Sequence, residues 1–127
     1  MDKIYLHGIQ AQTLIGAYEW ERQQAQAIVI DLDIALPDKR AGHSDQLQDT
    51  INYASVLDRL HSFLASQQCL LLEALAERLA QDILQHFQAP WVRISLAKPG
   101  ILVGVRQVGV CITRTKPQAL GLRDDVD

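Results

Sequence analysis

The chain has 127 residues, 48% of them apolar and 21% charged, a balance that suits one folded domain with a full core. Its net charge of -3 offers no electrostatic grip on nucleic acid or an anionic membrane, and no apolar run approaches the ~18 residues of a membrane span. Cys69 and Cys111 are too few for a disulfide framework, and Met1–Tyr5 lacks the apolar core of a secretion signal, so the reading is a cytoplasmic protein with both thiols free.

Ile4 and Leu6 alternate in a first strand over residues 3–8, and Thr13-Leu14-Ile15 forms a second short apolar piece ending at Gly16. Residues 17–24 fit neither period and read as a loop. The clearest strand follows: Ile28, Ile30, Leu32, Ile34 and Leu36 share one face, Val29, Asp31, Asp33 and Ala35 the other, and Pro37 closes it. Residues 37–50 form a long polar connection. Thr50 or Asn52 can cap a helix over residues 53–66, whose stripe is Tyr53, Val56, Leu57, Leu60 and Leu64. After a break at Ser66-Gln67-Gln68, a second helix from about Leu71 to Phe87 carries Leu72, Leu75, Ala76, Leu79, Ile83 and Phe87 inward, and Ala89-Pro90 stops it.

A third long strand spans 91–97 and stops at Lys98. Pro99 disfavours helical angles at that lysine, and Gly100 allows a sharp departure. A fourth strand, 105–114, points Val108, Val110 and Ile112 inward. The domain is thus expected over residues 1–115, with 116–127 a disordered tail. The order ββααββ describes an α+β fold: a four-stranded antiparallel sheet with two antiparallel helices on one face. That sheet keeps two open edges and an uncovered face, which a symmetric oligomer would resolve by closing the sheets of its copies into a barrel.

Few ionisable residues stand out. Lys98 is either a solvated lysine at a hairpin or a catalytic amine held in place. Glu73 lies in the first turn of the second helix, where the helix end favours an acid in any protein. Tyr53 opens the first helix, and Glu21 lies in a loop. Asp31 and Asp33 share a strand face that is either solvated or able to hold a cation. His7, His43, His61 and His86 form no His-x-His pair, and Gly100, Gly104 and Gly109 match no phosphate or dinucleotide loop, so neither a metal nor a cofactor is expected.

Taken together, the pieces resemble a known pattern. Gly16, Glu21 and Gln26 precede a strand; Ser44-Asp45 leads to Asp49-Thr50-Ile51-Asn52-Tyr53; Leu71-Leu72-Glu73 is followed by Ala76-Glu77-Arg78; Lys98-Pro99-Gly100 leads to Val108-Gly109-Val110. Over residues 3–114 this resembles the dihydroneopterin aldolases of folate biosynthesis. The resemblance implies the tunnelling fold, ring tetramers that stack as octamers, and sites between subunits. It implies Glu73 as the anchor for the pterin ring, with the Leu72 backbone beside it. It further implies Tyr53 reaching in from a neighbouring subunit, Glu21 beside Lys98, and Lys98 moving protons. Ser44-Asp45 and Ile51-Asn52 would shape the pocket wall. The implied reaction is retro-aldol cleavage of 7,8-dihydroneopterin without metal or lysine imine, with a side epimerase activity at C2′ giving dihydromonapterin. Two alternatives stay open: a dihydroneopterin triphosphate 2′-epimerase of the same fold, and a non-catalytic ring that binds pterins or purines.

Overall fold

The computed structural model describes residues 1–117. Strand β1 (Lys3–Ile15) leads through a short 3-10 turn, Glu19–Gln23, into β2 (Gln26–Ala35). One helical turn, α1 (Ala41–Ser44), and a 3-10 turn at Leu47–Asp49 occupy the polar connection. Then come α2 (Tyr53–Ala65), the two-residue strand β3 (Gln68–Cys69), α3 (Leu72–Phe87), β4 (Trp91–Leu102) and β5 (Val105–Thr115).

The sheet order is β3-β1-β2-β4-β5. Its long strands pair antiparallel, β1 with β2, β2 with β4 and β4 with β5. The expectation of four strands is therefore short by one. Gln68, the last residue of the expected break, and Cys69 after it pair parallel with Leu14 and Ile15 at the end of β1. The two apolar pieces expected at the N-terminus are one strand, because the ladder slips between Leu6 and Ile9 and then continues. Of the expected disordered tail, residues 118–127 lie outside the described residues, whereas Lys116 is tied in by its N–H on the Pro90 carbonyl at 2.8 Å.

Both helices cover one face, α2 over β1 and α3 over β4 and β5. Their stripes place Val56, Leu60, Leu64, Leu75, Leu79 and Ile83 against Ile28, Ile30, Leu32, Ile34, Ile94 and Leu96, all buried. Two apolar residues depart from the expected inward faces. Tyr53 is exposed at the start of α2, and Val108 is 39% exposed, since the far end of the β4–β5 hairpin is uncovered. An Arg59–Asp82 pair, with contacts of 2.9 and 2.7 Å, joins α2 to α3, and Arg114 Nε donates to Glu77 at 2.8 Å to join β5 to α3. No described helix is long and apolar enough to cross a membrane.

The opposite face corrects one sequence reading. Asp33 is not part of a solvated outer face: its side chain is only 8% exposed, with Lys3 Nζ 3.0 Å from one oxygen and His7 Nε2 2.7 Å from the other. Asp31 Oδ1 accepts the Gly8 N–H at 2.7 Å. Both partners of Asp33 come from β1, which strand alternation within β2 alone does not reveal. Burial pushes the Asp33 carboxyl up, but hydrogen bonds and charge from His7 and Lys3 outweigh it and hold the group below its ordinary value.

A depressed carboxylate contributes stability above its unfolded pKa and loses it as pH falls through the folded value. Asp33→Asn should therefore cost about 1 kcal/mol at neutral pH, modest because Lys3 and His7 face solvent. The gap to wild type should close as Asp33 is protonated. Urea unfolding of both proteins at neutral and acid pH checks this; an undiminished gap in acid would assign the loss to packing instead.

Candidate active site

Lys98 sits late in β4, opposite Val108, and the preceding Ala97 faces Gly109. The two backbones approach so closely that a Cβ on Gly109 would lie 2.0 Å from the Leu96 carbonyl oxygen and 2.8 Å from Ala97 Cα. Only glycine fits there, and its close approach fixes the strand just before Lys98. The strand does not stop at the lysine. Pro99 pairs with Gln107, the register shifts between Pro99 and Leu102, and β4 ends at Leu102. Pro99 and Gly100 thus disturb the ladder rather than end it.

The Lys98 side chain is 12% exposed and points to Glu21, 14% exposed, with Nζ 3.5 Å from Oε2. Glu21 lies in the 3-10 turn after β1, and its second oxygen accepts the Tyr18 N–H at 3.1 Å. That backbone hydrogen bond is the main reason its carboxyl is held below the ordinary carboxylate value; burial opposes it and Lys98 adds to it. Glu21 is therefore ionised at neutral pH and acts as an acceptor.

The turn is packed against Gly16, whose φ of +148° suits glycine. A Cβ there would lie 2.4 Å from Glu21 Cβ and 2.7 Å from its Cδ. Arg22 Nη1 donates to the Gly16 carbonyl at 2.6 Å, and Gln26 Nε2 donates to the Ile15 and Glu21 carbonyls at 3.0 and 2.7 Å. No periodicity marks Tyr18, Arg22 or Gln26 as builders of this corner, because each acts on or through backbone groups.

Glu73 is exposed in the first turn of α3, and Leu72 opens that helix. The N-cap, Leu71, supplies no side-chain cap, so no capping side chain occupies the first-turn N–H groups. The start of α3 is tied to the Glu21 corner by β3, for the Gly16 N–H donates to the Cys69 carbonyl at 3.2 Å. Tyr53 stands elsewhere in the chain. Asn52 caps α2, accepting from the Ala54 and Ser55 N–H groups at 2.9 and 3.4 Å, and leaves Tyr53 65% exposed. Tyr53 lines a groove with Ile4, Tyr5, Leu47, Ile51 and Asn52, which Glu21, Glu73 and Lys98 do not line, nor do Ser44 and Asp45.

This arrangement yields a direct test of the corner. Gly16→Ala should displace the Glu21 side chain from Lys98 and lower turnover of the reaction proposed below about a hundredfold, as a misplacement of about 1 Å can. Steady-state kinetics together with a crystal structure of the variant check it; wild-type turnover in Gly16→Ala would refute the steric reading.

The family model for dihydroneopterin aldolase (FolB) matches residues 4–113. The Escherichia coli K12 dihydroneopterin aldolase is 35% identical over 114 residues, covering 90% of this chain and 93% of that protein. Among solved structures, E. coli dihydroneopterin aldolase in complex with neopterin superposes with a TM-score of 0.84 at 35% identity, over 90% of this chain and 99% of that one. The Burkholderia thailendensis dihydroneopterin aldolase bound to guanine gives 0.75 at 25% identity, over 91% and 92%. These matches across nearly the whole chain, on a fold that brings an amine and a carboxylate together, show that this chain belongs to the dihydroneopterin aldolase family.

Proposed function

We propose that this chain cleaves 7,8-dihydroneopterin by a retro-aldol reaction to 6-hydroxymethyl-7,8-dihydropterin and glycolaldehyde. The observation that carries the proposal is the Lys98–Glu21 pair, nearly withdrawn from water and joined through Gly16 and Cys69 to the start of α3. Glu73 accepts from the 2-amino group and the adjacent ring N–H, two donors for two carboxylate oxygens. Neopterin and guanine both present that donor pair. The positive end of α3 favours the ionised acid, and the Leu72 backbone adds a contact to the ring.

The dihydropterin supplies its own electron sink, a C=N bond next to C1′. Removing the proton of the 2′-hydroxyl breaks the C1′–C2′ bond. C2′ and C3′ leave as glycolaldehyde, and the electron pair enters the ring as an enamine. Protonation at C1′ then gives the hydroxymethyl product. Neither a metal nor a lysine imine is needed for this balance, and no cofactor is assigned. Lys98, directly or through water, moves the two protons, and Glu21 holds its amine in place. Tyr53 stacks near the pterin and assists a proton. Re-addition of the aldehyde to its other face gives the C2′ epimer, a side activity.

Tyr53 lines a groove that Lys98 does not line, so a complete site draws on two copies. Before the short β3 pairing at Leu14 and Ile15, the outer edge of β1 carries no strand partner among the described residues, nor does the outer edge of β5, which supports edge-to-edge closure into a ring tetramer and its stacking as an octamer. The substrate is the only small-molecule partner assigned.

Incubation with dihydroneopterin after chelator treatment should release glycolaldehyde; binding of the pterin with no aldehyde formed would overturn the proposal. Lys98→Ala should abolish cleavage and keep pterin binding, whereas Glu73→Ala should lose binding, as equilibrium fluorescence measures. Sites shared between copies make a further prediction. Lys98→Ala and Tyr53→Ala chains, each inactive alone, should regain about a quarter of wild-type activity when refolded as an equal mixture, by random reassortment around the ring. No recovery in demonstrably mixed assemblies would place the whole site within one chain.

A further inference from the structure

Gln26 is the first residue of β2, half-buried, and its side-chain hydrogen bonds go to backbone carbonyls rather than to Lys98 or the Glu21 carboxylate. Its amide nitrogen carries two hydrogens and faces two carbonyls, Ile15 at 3.0 Å and Glu21 at 2.7 Å. These carbonyls stand at opposite ends of the turn that begins at Gly16. Two donors from one planar group on a strand therefore close that turn. The alternatives fail on chemistry. Leucine leaves both carbonyls unpaired, a protonated glutamic acid donates once, and an ionised glutamate sets negative oxygens against two carbonyl oxygens.

The turn has little else to hold Glu21 at its depth. The Tyr18 N–H contact lies within the same turn and moves with it, and Lys98 lies 3.5 Å away, too far for a strong charge-assisted bond. Arg22 grips the Gly16 carbonyl, at the fixed end of the turn. The contact from β2 to the Glu21 backbone itself is made by Gln26.

We infer that Gln26 is a positioning residue for the proposed aldolase reaction: its amide clamps the turn so that Glu21 meets Lys98, and the clamp governs proton transfer but not pterin affinity. This inference rests on the proposed function, and the test separates the two. Glu73, on a different element, keeps the pterin.

Compare wild type, Gln26→Leu and Gln26→Glu. Gln26→Leu should lose about tenfold or more in kcat while the Kd for 6-hydroxymethyl-7,8-dihydropterin changes less than about threefold. Gln26→Glu should add a limb to the pH profile, with kcat falling as the new carboxyl ionises, a limb absent from wild type. Independently of turnover, a 13C titration of Glu21 should respond to Lys98→Ala in the wild-type background and not in Gln26→Leu, because the Tyr18 N–H travels with the turn whereas the Lys98 contact needs the clamp. An equal response of the Glu21 titration to Lys98→Ala in both backgrounds overturns the inference whatever the activity, as does an equal loss of kcat and pterin affinity. A wild-type protein that releases no glycolaldehyde overturns the proposed function instead, and the Glu21 titration still decides the role of Gln26. Should Gln26→Leu fail to fold, the pH profile and Glu21 titration of Gln26→Glu decide the matter.

Discussion

The hydrogen bond from the Gly16 N–H to the Cys69 carbonyl sets the distances on which the candidate site depends. It extends the short parallel pairing of Leu14 and Ile15 with Gln68 and Cys69. From one side of that bond the chain enters the turn that carries Glu21; from the other it enters α3, whose first turn carries Glu73. Both acids lie a few residues from the same fixed point, so thermal motion has only short levers with which to move them. The point is also dry. Ile15, Gly16 and Cys69 are buried, and the neighbouring Thr13 hydroxyl donates to the Leu64 carbonyl at 3.1 Å, locking the end of α2 to the same strand. A backbone bond shielded in this way meets little competition from water. Gly16 contributes its missing side chain as well, since Glu21 packs into the space a Cβ would fill.

The parts of the fold that were legible in the sequence are those whose burial is periodic. The alternation from Ile28 to Ile34 and the helical stripes through Leu60 and Leu79 each state which face meets the core, and the structure buries those faces. A two-residue strand has no period, so β3 is silent in the sequence although it anchors the site. Asp33 misleads for a related reason: alternation reports a face, but the Lys3 and His7 that enclose it lie 30 and 26 residues away on β1. Lys98 looked like a strand end because proline and glycine follow it, yet β5 keeps pairing beyond it, with Gln107 opposite Pro99. Glu21 and Lys98 are 77 residues apart, and no local rule pairs them. Their proximity was implied by the family resemblance, not by spacing, and the Gln26 contacts that hold the turn involve backbone carbonyls that carry no residue identity at all.

The Lys98–Glu21 pair is tight enough to place the amine and loose enough to let it act. A charge-assisted N–H···O bond at its strongest spans about 2.7–2.9 Å. At 3.5 Å, Glu21 orients the Lys98 nitrogen without consuming its donor capacity, and a substrate hydroxyl or a water can compete for it. The looseness follows from the geometry of the turn. One Glu21 oxygen is taken by the Tyr18 N–H, and the packing over Gly16 limits how far the carboxylate can advance toward β4. On the lysine side, the close approach of Gly109 to Leu96 and Ala97 fixes the backbone from which the amine reaches. Two glycines, one just after β1 and one in β5, therefore fix the two backbones from which the ionisable pair extends, and the lack of a side chain at each is as much a part of the chemistry as the amine and the acid.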